Sequence, residues 1–279
     1  MSKQSELTQP QKKPADTDDI LLLRGRRRRT EISFVVIVLL LVVWSVQVTI
    51  VADTDWERMG SAGNLWESAS RFLTVDWSLF PSLVGPAIES VMIASLGSLL
   101  GVLISIPAIW FGAMNITPFA PVTYPLARFF MTVSRSIHEV VWALLFVAAV
   151  GMGALAGVLA LATRSIGFIA KMSAEAIEDI NYGQVEAIRA TGGNGFQVLL
   201  YAILPQVLPQ ILSVIIFEWE INLRRSAVLG LVGAGGLGLV IFRQMNTFNF
   251  PGVTSVIIVI LGIVLIGEII SLKIRKALI

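Results

Sequence analysis

Long apolar stretches alternate with short polar ones along this chain, and their lengths set the reading of its fold. The run from Ile32 to Ala52 holds twenty-one residues without a charge. That is enough to cross about 30 Å of hydrocarbon at about 1.5 Å per residue, so it predicts a spanning helix. It is too long for a signal-peptide core and lacks a small-residue cleavage site. Further spans are predicted near 83–111, 125–150, 154–174, 196–217 and 251–268. In the second, Gly97 and Gly101 stand at GxxxG spacing, which lets two helices approach closely, and Pro107 predicts an end or a kink. Residues 140–163 form one uncharged run, open to a one-helix or a two-helix reading. Gly151, Gly153 and Gly157 favour a tight turn between a third and a fourth span. In the fifth, Pro205 and Pro209 remove backbone donors that neighbouring helices must replace.

Composition agrees: 55% of residues are apolar and only 14% are charged, too few charges to coat a soluble core of this size. The expected fold class is all-α, an integral membrane protein of about six helices. The net charge of +2 hides a cluster, Arg24 and Arg26 to Arg29, directly before the first span. Basic residues so placed stay on the cytoplasmic side, and this outweighs a nucleic-acid reading. Lys273, Arg275 and Lys276 follow the last span, so both termini are expected in the cytoplasm. Residues 1–30 are expected as a disordered basic tail and 31–279 as the membrane domain, with an additional helix at 32–52 and a core at about 83–272. Between the first two spans acidic residues outnumber basic ones, which suits the outside. Trp56, Trp66 and Trp77 there fit an interfacial amphipathic stretch or loop aromatics packed on helix ends.

The chemical motifs are few. GAGGLG, with Gly233, Gly235 and Gly238, matches a dinucleotide fingerprint in spacing but has no strand, βαβ unit or downstream acid around it. No P-loop pattern occurs, so a nucleoside triphosphate has no such cradle in this chain. There is no cysteine and one histidine, His138, so no ordinary transition-metal site is expected; His138 reads as a helix-end residue. No serine, histidine and carboxylate set has hydrolase spacing. Glu218, Glu220, Arg224 and Arg225 form an ionisable cluster assigned to the outer half of the membrane, with Arg243 beyond it. Such groups pair with one another or line a path, and both readings stand. Arg224 and Arg225 suit an anion path because a guanidinium binds two oxyanion oxygens at once.

Residues Glu186 to Pro205, EAIRATGGNGFQVLLYAILP, resemble the EAA loop of ABC-importer permeases: Glu-Ala-Ala, three residues, Gly, nine residues, Ile, any residue, Leu-Pro. Glu186, Ala187, Gly192, Leu204 and Pro205 match; Ile188 replaces the second Ala, and Ala202 takes the Ile site. The stretch Ser134 to Leu161, with AEAIEDINYGQVEAIRATGG, ILPQVLPQIL and EINLRRSAVLGLVGAGGLG, resembles the phosphonate-type members, which usually carry Pro where His138 stands. The likeness covers about 83–270.

This resemblance implies the type I importer fold and a permease subunit, not an enzyme. Its partners would be a second permease copy as a homodimer, two ATPase subunits and an external substrate-binding protein, within the inner membrane and with no nucleic acid. ATP and Mg would sit on the ATPase, and no cofactor or metal on this chain. Glu186, Ala187, Arg189, Gly192, Leu204 and Pro205 would serve coupling, Gly192 ending the coupling helix at positive φ. Ser226, Gly230, Gly233, Gly235, Gly236 and Gly238 would form a gate loop; a Gly-rich packing segment is the other reading. A cytoplasmic EAA loop after a cytoplasmic start needs an even number of preceding spans, which favours the two-helix reading of 140–163. The expected cargo is a phosphorus oxyanion: phosphonate, phosphite, hypophosphite or a phosphate ester. The competing class is an ion-gradient-driven secondary transporter of small anions, for which no internal repeat is found.

Overall fold

The structure, a computed structural model, describes residues 17–52 and 62–278. The chain divides into two compact units, residues 1–66 and 67–279. In the first, helix α1 (Thr17–Val46) runs into a π turn, Gln47–Ala52. Its apolar side chains from Ile32 onward are exposed on all sides, as a helix bathed in lipid requires. The helix begins inside the tail expected to be disordered, because the leucines at 21–23 and the arginines after them are good helix formers next to an already helical span. Residues 1–16 of that tail and Trp56 lie outside the described residues. Helix α2 (Ala62–Arg71) carries an exposed Trp66 and a Glu67–Arg71 pair at 3.1 Å.

The second unit begins with a 3-10 turn, Trp77–Leu79, capped by Asp76, whose carboxylate accepts from the Ser78 N–H at 3.0 Å. Helix α3 (Phe80–Gly112) follows and continues past Pro107, which neither ends it nor leaves it short. Helices α4 (Ala120–Ser136) and α5 (Glu139–Val150) meet at 89°, so the third expected span is a broken pair and not a single helix. The break has a local cause: Ile137 and His138 are extended, and His138 Nδ1 accepts from the Val140 N–H at 3.3 Å to start α5. Trp142 Nε1 donates to the Ser134 carbonyl at 3.3 Å, satisfying a group the break exposes. Gly151 (φ 89°) and Gly153 (φ 144°) make the expected turn into helix α6 (Ala154–Glu178). Gly157 lies inside α6 instead, where an added Cβ would meet the Ala234 carbonyl at 2.8 Å.

Helix α6 is the axis of the unit. Added Cβ atoms at Gly97 and Gly101 would fall 2.8 Å and 2.7 Å from the Cβ atoms of Leu161 and Ser165, so the GxxxG pair brings α3 against α6. Helix α7 (Tyr182–Ala190) follows, then α8 (Gly195–Val198), a π turn (Leu199–Ile203) and α9 (Leu204–Leu229). The π turn stands next to Pro205, which has no N–H for the carbonyl four residues back. A 3-10 turn (Gly230–Val232), α10 (Gly236–Asn246) and α11 (Phe250–Leu278) complete the chain. Helices α9 and α11 outrun their apolar spans because charged side chains near their ends are paired inside the unit. Among the described residues five helices are long and apolar enough to cross a membrane, and α4 with α5 makes a sixth if the bent pair counts as one span.

Candidate coupling surface and anion path

Helix α7 is short and stands at one end of the bundle. Asn181 caps it by accepting from the Gly183 N–H at 2.9 Å. Gly192, at φ 82°, ends the turn after it, and its N–H reaches the Arg189 carbonyl at 2.9 Å. This is the positive φ expected of it. The next helix starts at once with a reciprocal cap, Asn194 and Gln197, each side chain bonding the other's backbone N–H. One face of α7 is buried through Val185, with Ile188 packed in support. The other leaves Glu186, Ala187 and Arg189 exposed. Leu204 and Pro205 lie apart from these, exposed on the first turn of α9.

The two departures from the EAA pattern meet in one place. Ala202 is buried in the same apolar cluster against which Ile188 packs. A larger residue at 188 and a smaller one at 202 keep the summed volume of that cluster close to constant. A cavity of about 280 Å³ opens beneath α7, lined by Trp110, Tyr182, Val185, Arg189 and Val198.

The base of α7 is tied to the bundle by hydrogen bonds. Asn181 N–H donates to Gln206 Oε1 on α9 at 2.9 Å, while Gln206 Nε2 donates to the Ala202 carbonyl at 2.7 Å. Arg128 on α4 donates to the Gly112 carbonyl at 2.9 Å and to Glu178 at 2.8 Å, and reaches Glu175 at 3.4 Å. Met114 N–H also donates to Glu178, at 2.8 Å. Thus α3, α4 and α6 are knotted together directly before α7.

The glycine segment is irregular, and Gly233 to Gly238 are buried. Gly233, Gly235 and Gly236 have φ of 91°, 83° and 67°, conformations that side chains rarely adopt. Ser90 on α3 accepts from the Leu237 N–H at 2.8 Å, and Gly153 N–H donates to the Gly233 carbonyl at 2.9 Å. An added Cβ at Gly235 would meet Glu89 Oε1 at 2.7 Å, and one at Gly238 would meet Gly230 Cα at 2.7 Å. Ser226, also buried, donates to the Leu223 carbonyl within α9. Non-helical chain at this depth is covered by protein, as a membrane demands.

The ionisable cluster, expected in the outer half of the membrane, packs in the interior of the bundle against the middle of α6 and the end of α11. Ser165, midway along α6, donates to Glu218 Oε1 at 2.9 Å, and Asn222 Nδ2 donates to Ser98 and Ser165, each at 2.9 Å. Glu220 accepts from Ser271 at 2.8 Å and from Arg275 at 2.7 Å, near the C-terminal end of α11. Helix α9 extends past the expected end of its span, which lowers these residues into the bundle. Arg225 donates to Glu218 at 2.9 Å and stands 3.4 Å from Glu139; Arg224, half exposed, pairs with Glu220 at 2.8 Å. Arg243 lies exposed on α10, away from them.

Sequence reading missed Arg164. It sits on α6 with its Nε 3.8 Å from Glu139 Oε2. A lone arginine inside an apolar span, ALAGVLALATRSIGF, was the available signal. Arg128, Glu175 and Glu178 were visible only as local charges, since their pairing is across helices. Among the described residues no cluster of His, Cys, Asp or Glu has the makings of a metal site.

A bundle of apolar helices with a capped helix at one end and paired charges within it fits a transmembrane transport subunit. The chain belongs to the family of binding-protein-dependent transport system inner membrane components, whose model matches residues 32–278. It is 38% identical over 208 residues to the phosphite transport system permease protein PtxC of Stutzerimonas stutzeri, covering 75% of each chain. It is 39% identical over 193 residues to the phosphate-import permease protein PhnE of Mycolicibacterium smegmatis, covering 69% of this chain and 36% of that one. Its fold is similar to a chain of the MetNI methionine ABC transporter in an inward-facing conformation, with TM-score 0.65 and 22% identity over 74% of this chain and all of that one.

Proposed function

We propose that this permease, as a homodimer with two ATPase subunits and an external substrate-binding protein, imports a phosphorus oxyanion at the expense of ATP. The relatives' named cargoes, phosphite and phosphate, support the chemical class without choosing within it. The observation that carries the coupling half is α7: a helix fixed at both ends and buried on one face, with Glu186, Ala187 and Arg189 presented outward. ATP and Mg belong to the partner ATPase, where closure of the pair draws the two α7 helices together. The Asn181–Gln206 bonds would carry that movement into α9, and so to Arg225 and the glycine segment. Gly230, Gly233, Gly235, Gly236 and Gly238, with Ser226, would then be the gate. Arg224 and Arg225 would border the anion's path.

In this reading α7 and both termini face the cytoplasm. A cysteine at position 187 of this cysteine-free chain is then labelled from the cytoplasmic side alone. The decisive assay is uptake of radiolabelled phosphite and phosphate into proteoliposomes holding the permease, its co-purified ATPase and its binding protein. Uptake that requires ATP supports the proposal; uptake driven by an imposed ion gradient without ATP overturns it in favour of a secondary transporter.

A further inference from the structure

Arg128, Arg164, Arg225 and Arg275 have side chains no more than 26% exposed, and all of them except Arg164 donate hydrogen bonds to other side chains. Arg128 donates to a carbonyl and two carboxylates, Arg225 to Glu218 and Asn222, and Arg275 to Glu220 and Ser271. Arg164 differs. Its Nε and Nη1 are both buried without a hydrogen-bond partner among the described residues, whereas Arg275 leaves only its Nε unmet and still donates through Nη2. Its side chain is 18% exposed, so it reaches a surface at its tip. An arginine keeps its charge even in such a place, and unmet donors in a membrane interior are costly enough to require an occupant.

The surroundings say what kind of occupant. Glu139 lies between Arg164 at 3.8 Å and Arg225 at 3.4 Å, and forms a hydrogen bond of good length with neither. It occupies the space between two guanidinium groups as a loosely held carboxylate. Arg135, at the end of α4, adds a third positive charge near Arg164. Glu139 is also the first residue of α5, whose N-terminus points its partial positive charge at the same spot. With Glu218 buried and already bonded to Arg225 and Ser165, the group of Arg135, Arg164, Arg225, Glu139 and Glu218 keeps a positive excess. The surface beside it holds His138, 67% exposed at the break between α4 and α5. Charged groups at mid-span do not face hydrocarbon, so this surface fronts water or another protein chain.

We propose that Arg164 and Arg225, at the break between α4 and α5, form an oxyanion subsite in mid-membrane, with Glu139 as the resident counterion that the cargo displaces. The inference rests on the importer reading above, and it shifts the main anion contact from Arg224 to Arg164. A tetrahedral oxyanion offers several acceptors, and once Glu139 has moved aside and the Arg164 guanidinium has turned toward the space it leaves, the anion can be shared between Arg164 and Arg225. Displaced Glu139 keeps a neighbour in the exposed His138, whose Nε2 stands 3.8 Å from its Oε1.

The test uses the permease–ATPase complex with inorganic phosphite and inorganic phosphate as probes. In the wild type either ion should raise the melting temperature of a fluorescently tagged permease, and chloride at the same ionic strength should not. Arg164→Gln should melt no lower than the wild type without ligand, because no hydrogen bond is lost, yet should lose the ligand-induced rise. In proteoliposomes with the binding protein it should retain ATPase stimulation while uptake falls about tenfold or more, and Arg164→Lys should recover part of it. Normal uptake by a folded Arg164→Gln would overturn the subsite and leave the importer reading standing. A fall in its ligand-free melting temperature, reversed by adding Glu139→Gln, would also overturn it, showing Arg164 to be only the ion-pair partner of Glu139. Failure of the wild type to import either ion would count against the importer reading, with the melting shift judging the subsite separately.

Discussion

Arg128, on the first half of the bent α4–α5 pair, and Arg164, on the spanning helix α6, are about equally buried, and both lie near glutamates of other helices. Arg128, at the end of the bundle that carries α7, has its donors directed at the Gly112 carbonyl, Glu175 and Glu178. Arg164, halfway along α6, makes only a 3.8 Å approach to Glu139. The difference separates two tasks. For the proposed coupling role of α7 its end of the bundle must hold its shape, since a docking helix transmits movement only if its base does not yield. Around Arg164 more polar capacity is unused, since Glu218 Oε2 is buried without a partner as well; toward α7 the unmet atoms are the neutral Asn115 Oδ1 and Ser173 Oγ. A site that must bind and release cargo cannot satisfy itself fully in the empty state.

If this contrast is right, stability should respond unequally at the two places. The largest loss is expected for Arg128→Gln, which removes the node joining α3, α4 and α6 and leaves Glu178 with only the Met114 N–H and Glu175 with only Lys171. Breaking such a largely buried pair costs about 3 kcal/mol, to be read as a fall in thermal or denaturant midpoint of the purified complex. Glu218→Gln should cost less, about 1 to 2 kcal/mol: it loses the charge-assisted bond from Arg225, but one of its oxygens already lacked a partner. An equal or greater loss at Glu218 would remove the distinction between a rigid end and an unsaturated middle.

How much of this was legible in the sequence follows from the range of the forces involved. Spans could be counted because crossing a bilayer is a requirement of length and polarity that each segment meets by itself. The close approach at Gly97 and Gly101 and the positive φ of Gly192 could be read because absence of a Cβ is a local property with few uses. The break at His138 was legible in part: reading His138 as a helix-end residue holds, since it caps α5, but the sharp bend there did not show. The apolar pattern runs through it, and it is fixed by one side-chain cap and a bond from Trp142 to Ser134. The packing of Glu218 and Glu220 inside the bundle did not show for a related reason: α9 continues as helix beyond its apolar stretch, held by Ser98, Ser165 and Arg275 from three other helices. Pairing across helices decides those positions, and one sequence does not display it.

A smaller effect probes the turn that follows the coupling helix. Gly192 has open space around an added Cβ, so Gly192→Ala meets no clash, only the cost of φ near 82°. The expected loss is about 1 kcal/mol, measured as above. Retained ATPase binding at reduced strength would show that the turn positions α7 without holding up the bundle.

The smallest stability effect and the sharpest functional one should coincide at Glu186. Its side chain is exposed, on the face of α7 opposite Val185, so nothing in the packed unit depends on it. Glu186→Lys should change the unfolding free energy by no more than about 0.5 kcal/mol, as for most surface substitutions. It reverses the charge on the surface offered to the ATPase, however, and a like or unpaired charge within a protein interface costs far more than one in water. Uptake should therefore fall about tenfold or more, with weakened co-purification of the ATPase or loss of its stimulation by the binding protein. Normal uptake with normal ATPase binding would remove α7 as the coupling element, and the rigid knot around Arg128 would then need a different purpose. If instead uptake is lost and stability kept, α7 and the Arg128 knot divide the work as the contrast requires: one holds the frame, the other presents a surface whose chemistry matters only when the partner is docked.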